Sequence, residues 1–471
     1  MLRIHVVHQG GHHYYVNDLA PGRAEGTLVP GEDPGRWSGT GSDALGLRGR
    51  VEAGAFAEVL DGRDPRSGRP LSRHPGTDAA AGRVAGYDLV FAAPKSVSLL
   101  HLLAPPEIAA EVGAGHRSAV DEATDYLGRC AVGVRRTRNG QVALLASTGA
   151  VAGHFLHRTS RTLDPHLHTH AVTANVAQGV DGVWSAVDSR RVFAHARAAQ
   201  AVYHARLRLE LGDRIGATWE VPASGLGDVV GVAPTLRRLF SQRSAAIDEY
   251  EARRVGWSPG PSRSGGPARS KVAFHATRPD KDHHRTVDSL MAEWRERAAD
   301  FGFDLGDLTR VVGPGRARRA GNEIDAERVR SRLGTLAGHR HTLGRRHLVA
   351  AVADASVSGT SARVVESVAD RIGEASGPAI GSDRVDGHRG ASAGVGRGSP
   401  PGEARWDANA VARAVDRLSA ELISGPAPGG VRSADLGADA VDRGRLLLPD
   451  HRGRVTPVPG RVRVESWELG R

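Results

Sequence analysis

Residues 155–175 read FLHRTSRTLDPHLHTHAVTAN, and this stretch decides the fold. It contains four histidines: His157, His166, His168 and His170. Because His168 and His170 are two positions apart, their side chains leave the same face of a β-strand. His157 precedes His168 by eleven residues, which is enough for one strand and a turn back. The pattern predicts two neighbouring antiparallel strands whose imidazoles converge on a metal ion.

The segments on either side predict further strands. VGVRRTR and QVALLAS flank Asn139-Gly140, the pair preferred in two-residue type I′ hairpin turns. A third strand follows over 150–157, the histidine stretch supplies a fourth over 166–176, and Asp181-Gly182 turns the chain into one more. The three histidines His157, His168 and His170 are therefore expected on neighbouring strands of an antiparallel sheet.

The remaining N-terminal segments alternate between strands and helices. Residues 2–7 and 87–91 read as strands, and the second is apolar except for Asp88. Ser96 is predicted to cap a helix, and apolar stripes predict longer helices over 106–129 and 189–211. The arginines of the last helix indicate either a solvated face or a DNA-facing one. The predicted fold class is α+β, an antiparallel β-sheet core flanked by helices with an irregular, partly disordered C-terminal region.

Composition narrows the classes of function. The 471-residue chain has a formal net charge of +10 and a pI near 10.4, almost all from arginine. Arginine binds phosphate through its bidentate fork, but arginine bias also follows from high genomic GC content. The single Cys130 excludes an intrachain disulfide framework and a multi-cysteine metal site. Without a long apolar run or a signal-peptide pattern, we expect a soluble, cytoplasmic protein with no membrane insertion.

Three neutral imidazoles leave open positions on a divalent ion, as expected of a catalytic metal site. Imidazole ligands favour zinc, manganese, nickel or copper over magnesium. The alternative is a histidine-rich strand that lines a core or a surface. A hydrolase that activates water needs a placed general base, and no H-E-x-x-H or paired-carboxylate motif is present. Another group must therefore supply the nucleophile.

Two features elsewhere in the chain bear on this chemistry. Asp88 lies inside an apolar strand, where an unpaired carboxylate is costly. Its partner is either a backbone amide or an arginine, or a catalytic histidine or tyrosine. Tyr14 and Tyr15 form a pair near the N-terminus, and the ordinary interpretation of such a pair is structural.

Together these segments resemble the relaxase domain of MobF-class conjugative relaxases, the TrwC/TraI family of histidine-hydrophobe-histidine (HUH) endonucleases. The resemblance rests on HRTSRTLDPHLHTHAVTAN, on YDLVFAAPKSVSLL earlier in the chain, and on the N-terminal tyrosine pair. It covers roughly residues 1–305, including FSQRSAAI at 240–247 and VDSLMAEWRERAADFGFD at 287–304. It implies the palm fold of these enzymes, built around the histidine-bearing sheet.

The resemblance also implies the roles of individual residues. A divalent ion, magnesium, manganese or zinc, is expected on three ligands, His157, His168 and His170. His166 falls where the family motif requires no ligand. Tyr14 matches the nucleophile and Tyr15 its neighbour, so attack on the scissile phosphate leaves a 5′-phosphotyrosine and a free 3′-hydroxyl. Asp88 either accepts the tyrosine proton or orients a metal-bound histidine.

The expected partner is single-stranded DNA at an origin of transfer, bound through phosphate and some base contacts. Lys95, Arg158 and Arg161 are the candidate phosphate contacts, with ordinary surface or structural charge as the alternative. Many relatives carry a second tyrosine pair about ten residues after the first, but here residues 25–28 read EGTL. We therefore expect transfer to terminate differently or with a second copy.

The C-terminal part departs from relatives that continue into a helicase. No G-x-x-x-x-G-K-[ST] phosphate loop is present, so we expect no ATP site and expect a separate helicase and conjugation accessory proteins as partners. The predicted domains are a relaxase domain (1–310), a helical segment resembling the pre-helicase region (311–373), a low-complexity linker (374–404) and a small C-terminal remnant without ATPase motifs (405–471).

Three functions compete at this point. The first is a conjugative relaxase of a plasmid or other mobile element, a site- and strand-specific DNA endonuclease that later rejoins the strand. The second is a truncated, non-catalytic DNA-binding remnant of a relaxase-helicase. The third is an unrelated histidine-ligated metallohydrolase that uses metal-bound water. The presence of Tyr14, Asp88 and the three histidines favours the first.

Overall fold

The computed structural model describes residues 2–9, 35–71, 84–138, 141–160, 162–222, 225–255, 287–312, 324–338, 340–380 and 403–424. These residues all belong to one unit, Met1–Ser424. Three predicted site residues lie outside the described residues: Tyr14, Tyr15 and Arg161. So do the Asn139-Gly140 turn, most of the predicted linker and all of 425–471.

The strands are numbered in chain order. They are β1 (Leu2–His8), β2 (Arg36–Ser38), β3 (Val84–Ala92), β4 (Gly133–Arg138), β5 (Gln141–Ala146), β6 (Ala152–Thr159), β7 (Pro165–Ala174), β8 (Ala177–Gln178), β9 (Trp184–Ser185), β10 (Trp219–Glu220), β11 (Asp228–Val229), β12 (Thr342–Gly344) and β13 (Arg405–Asp407). Five of them form one antiparallel sheet in the order β1-β3-β7-β6-β2. The predicted α+β class with an antiparallel sheet is confirmed.

The predicted hairpin forms, but it stands apart from this sheet. β4 and β5 form a two-stranded sheet, with one isolated bridge from Val134 to Val187, and β8 and β9 form another. The place beside β7 is instead taken by β3, which comes from far earlier in the chain. Short-range patterning locates each strand, but it does not show which distant strand will pair with it.

Alternation along β7 gives the sheet two different faces. Leu167 and Ala171 point into the main core together with Phe91 of β3. Val172 points the other way, into a smaller core that includes Phe56 and Phe155. His168 and His170 share the parity of Val172, so they lie on the face opposite the main core. Phe155 of the smaller core lies opposite His170 in the register, so the histidines lie beside this core, toward the turn between β6 and β7.

The helices are likewise numbered in chain order. They are α1 (Thr40–Ala44), α2 (Ala53–Leu60), α3 (Lys95–Leu103), α4 (Pro106–Cys130), α5 (Ser189–Ile215), α6 (Pro234–Leu239), α7 (Gln242–Val255), α8 (Val287–Asp300), α9 (Gly306–Val311), α10 (Ala326–Ala337), α11 (Arg345–Ala355), α12 (Ala362–Ala375) and α13 (Ala408–Ser424). None of these described helices has both the length and the apolar character that a membrane span requires.

The start of α3 differs from the prediction. Pro94 is the residue that precedes its first turn, and no side chain caps it. The Ser96 hydroxyl instead donates to Asp228 at 2.6 Å and accepts from the Val229 amide at 3.0 Å. Ser96 therefore ties α3 to β11, so its predicted role as a cap is wrong.

α5 buries some of its arginines and exposes others, such as Arg190 and Arg197. Arg208 is 1% exposed and donates to the carbonyls of Ser356 and Ala353 at the end of α11. Arg206 pairs with Glu122 and Glu210. These two arginines hold helices together, so the predicted solvated or DNA-facing role does not apply to the buried Arg208 and remains a prediction for the exposed arginines. Residues of α11 share the main core with α5, and the predicted domain boundary near residue 310 remains a prediction.

Candidate metal centre

The antiparallel pairing of β6 with β7 brings three histidines together. His157 lies directly opposite His168 in the register, and His170 is the next residue of β7 on the same face. The ring centroids are 5.3 Å apart for His157 and His168, 5.0 Å for His157 and His170, and 5.2 Å for His168 and His170. The potential ligand nitrogens all lie within 4.8 Å of one another. Such a nearly equilateral arrangement suits three ligands of one ion.

Hydrogen bonds set the tautomers of two of these rings. Nδ1 of His170 lies 2.9 and 3.0 Å from the two carboxylate oxygens of Asp88, which can only accept. Nδ1 of His168 donates in the same way to the His166 carbonyl at 2.9 Å. Both rings therefore carry the proton on Nδ1 and leave the lone pair of Nε2 for a ligand. This donor set fits a divalent metal ion.

The protonation state of His168 also fits a ligand. Burial lowers the pKa of His168 to about 4, and the neighbouring His170 adds to this effect. A neutral imidazole can coordinate a metal ion, whereas an imidazolium cannot. His168 is therefore ready to bind a cation at neutral pH without first losing a proton.

Asp88 reaches the histidines from the neighbouring strand. β3 pairs with β7 so that Asp88 lies opposite Val172 and diagonal to His170. The carboxylate is buried, with 2% of the residue exposed. Of the partners that the sequence left open, the structure shows a histidine of the predicted metal site.

Two further histidines of β6 and β7 are not part of this cluster. The ring of His166 packs against His168, with 4.8 Å between centroids, but is not one of the three converging residues. His154 lies on the other face of β6, where its Nδ1 is 3.1 Å from Asp121. Among the described residues, His157, His168 and His170 are the one group arranged to hold a metal ion.

Known proteins share both the sequence and the architecture of this region. The sequence model of the family described as TrwC relaxase matches residues 8–301. The chain belongs to the TrwC relaxase family. Multifunctional conjugation protein TraI of Escherichia coli is 34% identical over 280 residues, 57% of this chain and 15% of that protein. TraI of strain K12 is 32% identical over 311 residues, 61% of this chain and 16% of that protein. The chain thus matches only a small part of these relatives.

Solved structures of TrwC lead to the same family. Conjugative relaxase TrwC in complex with OriT DNA has been solved in a metal-free and a metal-bound form. Each has a TM-score of 0.56 and 30% identity to this chain, and the match covers all of the TrwC chain. It covers 64% and 65% of this chain, respectively.

Two of the predicted DNA-contacting residues of this TrwC-family chain, Lys95 and Arg158, lie in the described part, and their surroundings differ. Lys95 is half-buried, and its ammonium donates to the Pro165 carbonyl at 2.7 Å. Burial lowers the pKa of Lys95 to about 8. Arg158 is half-buried on β6, next to His157. Contact of Lys95 and Arg158 with phosphate remains a prediction, and Lys95 already has a partner within the protein.

The structure also shows a buried polar network that sequence reasoning missed. Thr169, between two of the histidines, points to the opposite face and bonds to Nε2 of His116 on α4 at 2.9 Å. The Nδ1 atom of the same ring lies 2.9 Å from the hydroxyl of Tyr203 on α5. All three residues are buried. The one sequence signal was a histidine within the apolar stripe of a predicted helix.

Proposed function

We propose that this chain is an active DNA relaxase that cuts one strand at an origin of transfer and later rejoins it. The observation that carries the proposal is the convergence of His157, His168 and His170, with the Asp88 carboxylate bonded to the His170 ring. A remnant under no demand for catalysis would have no need for three aligned imidazoles backed by a buried carboxylate.

The three histidines would hold a divalent ion through their ring nitrogens. Such an ion polarises a phosphate oxygen and stabilises the negative charge that develops during phosphoryl transfer. The protein's own contribution is orientation: Asp88 and the His166 carbonyl keep two imidazoles in the tautomer that presents Nε2.

Tyr14 is proposed as the nucleophile because of its match to the family motif. Its phenolic oxygen forms a bond to the scissile phosphorus while the bond from phosphorus to the 3′ oxygen breaks. The phenolic proton passes to a base, and the departing 3′ oxygen takes up a proton from the surroundings. One phosphoester replaces another, so the step is reversible and the strand can be rejoined.

Asp88 is proposed to act chiefly on His170. Both carboxylate oxygens already face Nδ1 of this ring, and the residue is buried. A carboxylate held this way raises the basicity of a ligand histidine and fixes its orientation. This geometry favours the orienting role over the proton-accepting role that the sequence left equally open.

The test uses the full chain with 5′- and 3′-labelled single-stranded oligonucleotides that tile the DNA flanking its gene. With Mn²⁺ present, we expect an SDS-resistant adduct on the 3′-labelled product and a free 3′-hydroxyl on the other. Tyr14→Phe, the chelator control and His168→Ala should each abolish the adduct, whereas Tyr15→Phe and His166→Ala should retain it. Cleavage that persists in Tyr14→Phe without any adduct would support the metallohydrolase instead.

A further inference from the structure

The turn between the two histidine-bearing strands has a left-handed backbone. Leu163 has a φ of 55°, and it is the one non-glycine residue of the described part with a positive φ. A branched residue in this region costs roughly 1–2 kcal/mol. The turn directly precedes β7, and a register irregularity lies between His157 and Thr159 on the β6 side. Bonds within the turn, from the Leu163 amide to the Ser160 carbonyl at 2.9 Å and from the Asp164 amide to the Ser160 hydroxyl at 3.1 Å, support this conformation, and neighbouring helices add to them.

α8 supplies one part of that support. The indole Nε1 of Trp294 donates to the Leu163 carbonyl at 2.9 Å, and Trp294 is 1% exposed. The bond fixes the carbonyl direction of the strained residue itself. Because Trp294 is packed in the main core, the position of the turn is tied to the core.

Asp164, the next residue, is held by three bonds from two helices. Its buried carboxylate accepts from the backbone amide of Gln242 at 2.8 Å and from the Gln242 side chain at 3.1 Å. It also accepts from Arg297 of α8 at 3.1 Å. Arg297 is fixed in turn by the Leu239 carbonyl at 2.6 Å and lies over the Phe240 ring.

A third element reaches the residue that begins β7. The ammonium of Lys95, at the start of α3, donates to the Pro165 carbonyl. Three consecutive residues are therefore each bonded to the helical layer: Leu163 to α8, Asp164 to α7 and α8, and Pro165 to α3. His168 follows Pro165 by only three positions.

We propose that Trp294, Arg297 and Gln242 are positioning residues for the metal centre, which act by fixing the register in which β7 leaves the turn. Side chains alternate along a strand, so a slip of one residue would turn His168 and His170 to the opposite face. Core packing of Leu167 and Ala171 opposes a slip along β7. The bonds to the turn additionally hold the end of the strand nearest the metal site, where the pairing with β6 is irregular.

The test is metal binding by the folded protein, measured apart from cleavage. Trp294→Phe keeps an aromatic ring but removes the N–H donor, and Arg297→Lys keeps the charge but loses the planar fork. For each variant, we expect Zn²⁺ affinity measured by isothermal titration to fall about 10-fold or more. The midpoint of thermal unfolding of the metal-free protein should fall by only a few degrees.

Arg295→Met is the matched control, because Arg295 is an exposed arginine on the same helix. It should leave Zn²⁺ affinity unchanged. Wild-type Zn²⁺ affinity in both Trp294→Phe and Arg297→Lys would overturn the proposal. If either variant fails to fold, Gln242→Ala takes its place. In that variant the backbone amide still bonds Asp164, and only the side-chain contact is lost. Unchanged Zn²⁺ affinity in Gln242→Ala would also count against the proposal.

A second measurement, the rate of adduct formation, is the only part of this inference that rests on the proposed function. Trp294→Phe should lower the rate of adduct formation at limiting metal and recover when metal is raised. If the wild-type chain binds Zn²⁺ but forms no adduct, the proposed function fails while the positioning role can still be confirmed by affinity. A rate defect that saturating metal does not rescue would contradict the positioning role.

Discussion

The two faces of β7 carry two histidine networks that differ in one respect. On one face, His168 and His170 converge with His157, and the ring nitrogens opposite their bonded Nδ1 atoms point toward one another. On the other face, the ring of His116 has a hydroxyl partner on each nitrogen, Thr169 on one side and Tyr203 on the other. The first network is arranged to bind a metal ion, whereas both ring nitrogens of the second are already hydrogen-bonded.

The difference shows that histidine content does not by itself define a site. A buried imidazole whose two nitrogens are both bonded stabilises packing and has no valence left for a metal. An imidazole with one nitrogen fixed and the other directed at its neighbours is arranged for coordination. Since Thr169 lies between His168 and His170, one strand contributes to both networks through alternation alone.

The largest expected effect comes from removing a ligand on the metal face. His170→Ala should lower the rate of adduct formation by about 10³-fold, because the charge stabilisation supplied by a bound ion is worth several kcal/mol. Zn²⁺ binding should weaken in parallel in isothermal titration. His166→Ala, on the same strand and face, is the control and should stay close to wild type. Equal losses in both variants would mean that His166 is also a ligand.

Removing the histidine of the other face should affect stability and not metal binding. His116→Ala leaves a cavity and two buried hydroxyls without their imidazole partner, so the free energy of unfolding should fall by about 3 kcal/mol. Urea denaturation of the metal-free protein measures this. Zn²⁺ affinity of the folded variant should stay nearly unchanged. A large loss of affinity would show that the two networks are coupled through Thr169.

A smaller effect is expected where a carboxylate supports a ligand. Asp88→Asn can still accept a hydrogen bond from Nδ1 of His170 but loses the negative charge, so Zn²⁺ affinity should fall about 10-fold. The rate of adduct formation at saturating metal should fall much less than in His170→Ala. If adduct formation is abolished even at saturating metal, Asp88 is instead the acceptor of the tyrosine proton.

The smallest effect concerns acid stability. Burial holds the pKa of His116 well below its usual value, and that of His195 at about 3. As the pH falls below about 6.5, these histidines become protonated in the unfolded chain but stay neutral in the folded chain. Each such histidine should therefore reduce the free energy of unfolding by up to about 1.4 kcal/mol per pH unit below 6.5. Stability is greatest above this pH.

Urea titrations of the metal-free protein at pH 7.5, 6.5 and 5.5 measure that slope. His116→Gln can bond both hydroxyls without titrating, so it should reduce the slope by about one proton. A slope identical to that of the wild type would mean that His116 is protonated in the folded state.

The histidine-bearing strands show which features of the site could be predicted from the sequence. The two-residue spacing of His168 and His170 correctly predicted a shared face, and the eleven-residue spacing to His157 correctly predicted a neighbouring strand. Asp88 was correctly placed in a buried strand. Ser96 was wrong as a helix cap because a distant partner, Asp228, competes for its hydroxyl. Tyr14 lies outside the described residues, so its role stays a proposal.

The sequence by itself determined the features that depend on local backbone geometry, since alternation in a strand and the spacing across a turn are properties of neighbouring residues. It therefore indicated the three histidines, the hairpin and, through resemblance, the relaxase family. Only the tertiary structure decided that Asp88 bonds His170, that Thr169 is matched to His116, and that Trp294 and Arg297 hold the turn before β7. Each of these contacts joins residues dozens of positions apart, and no local pattern encodes which distant elements will meet.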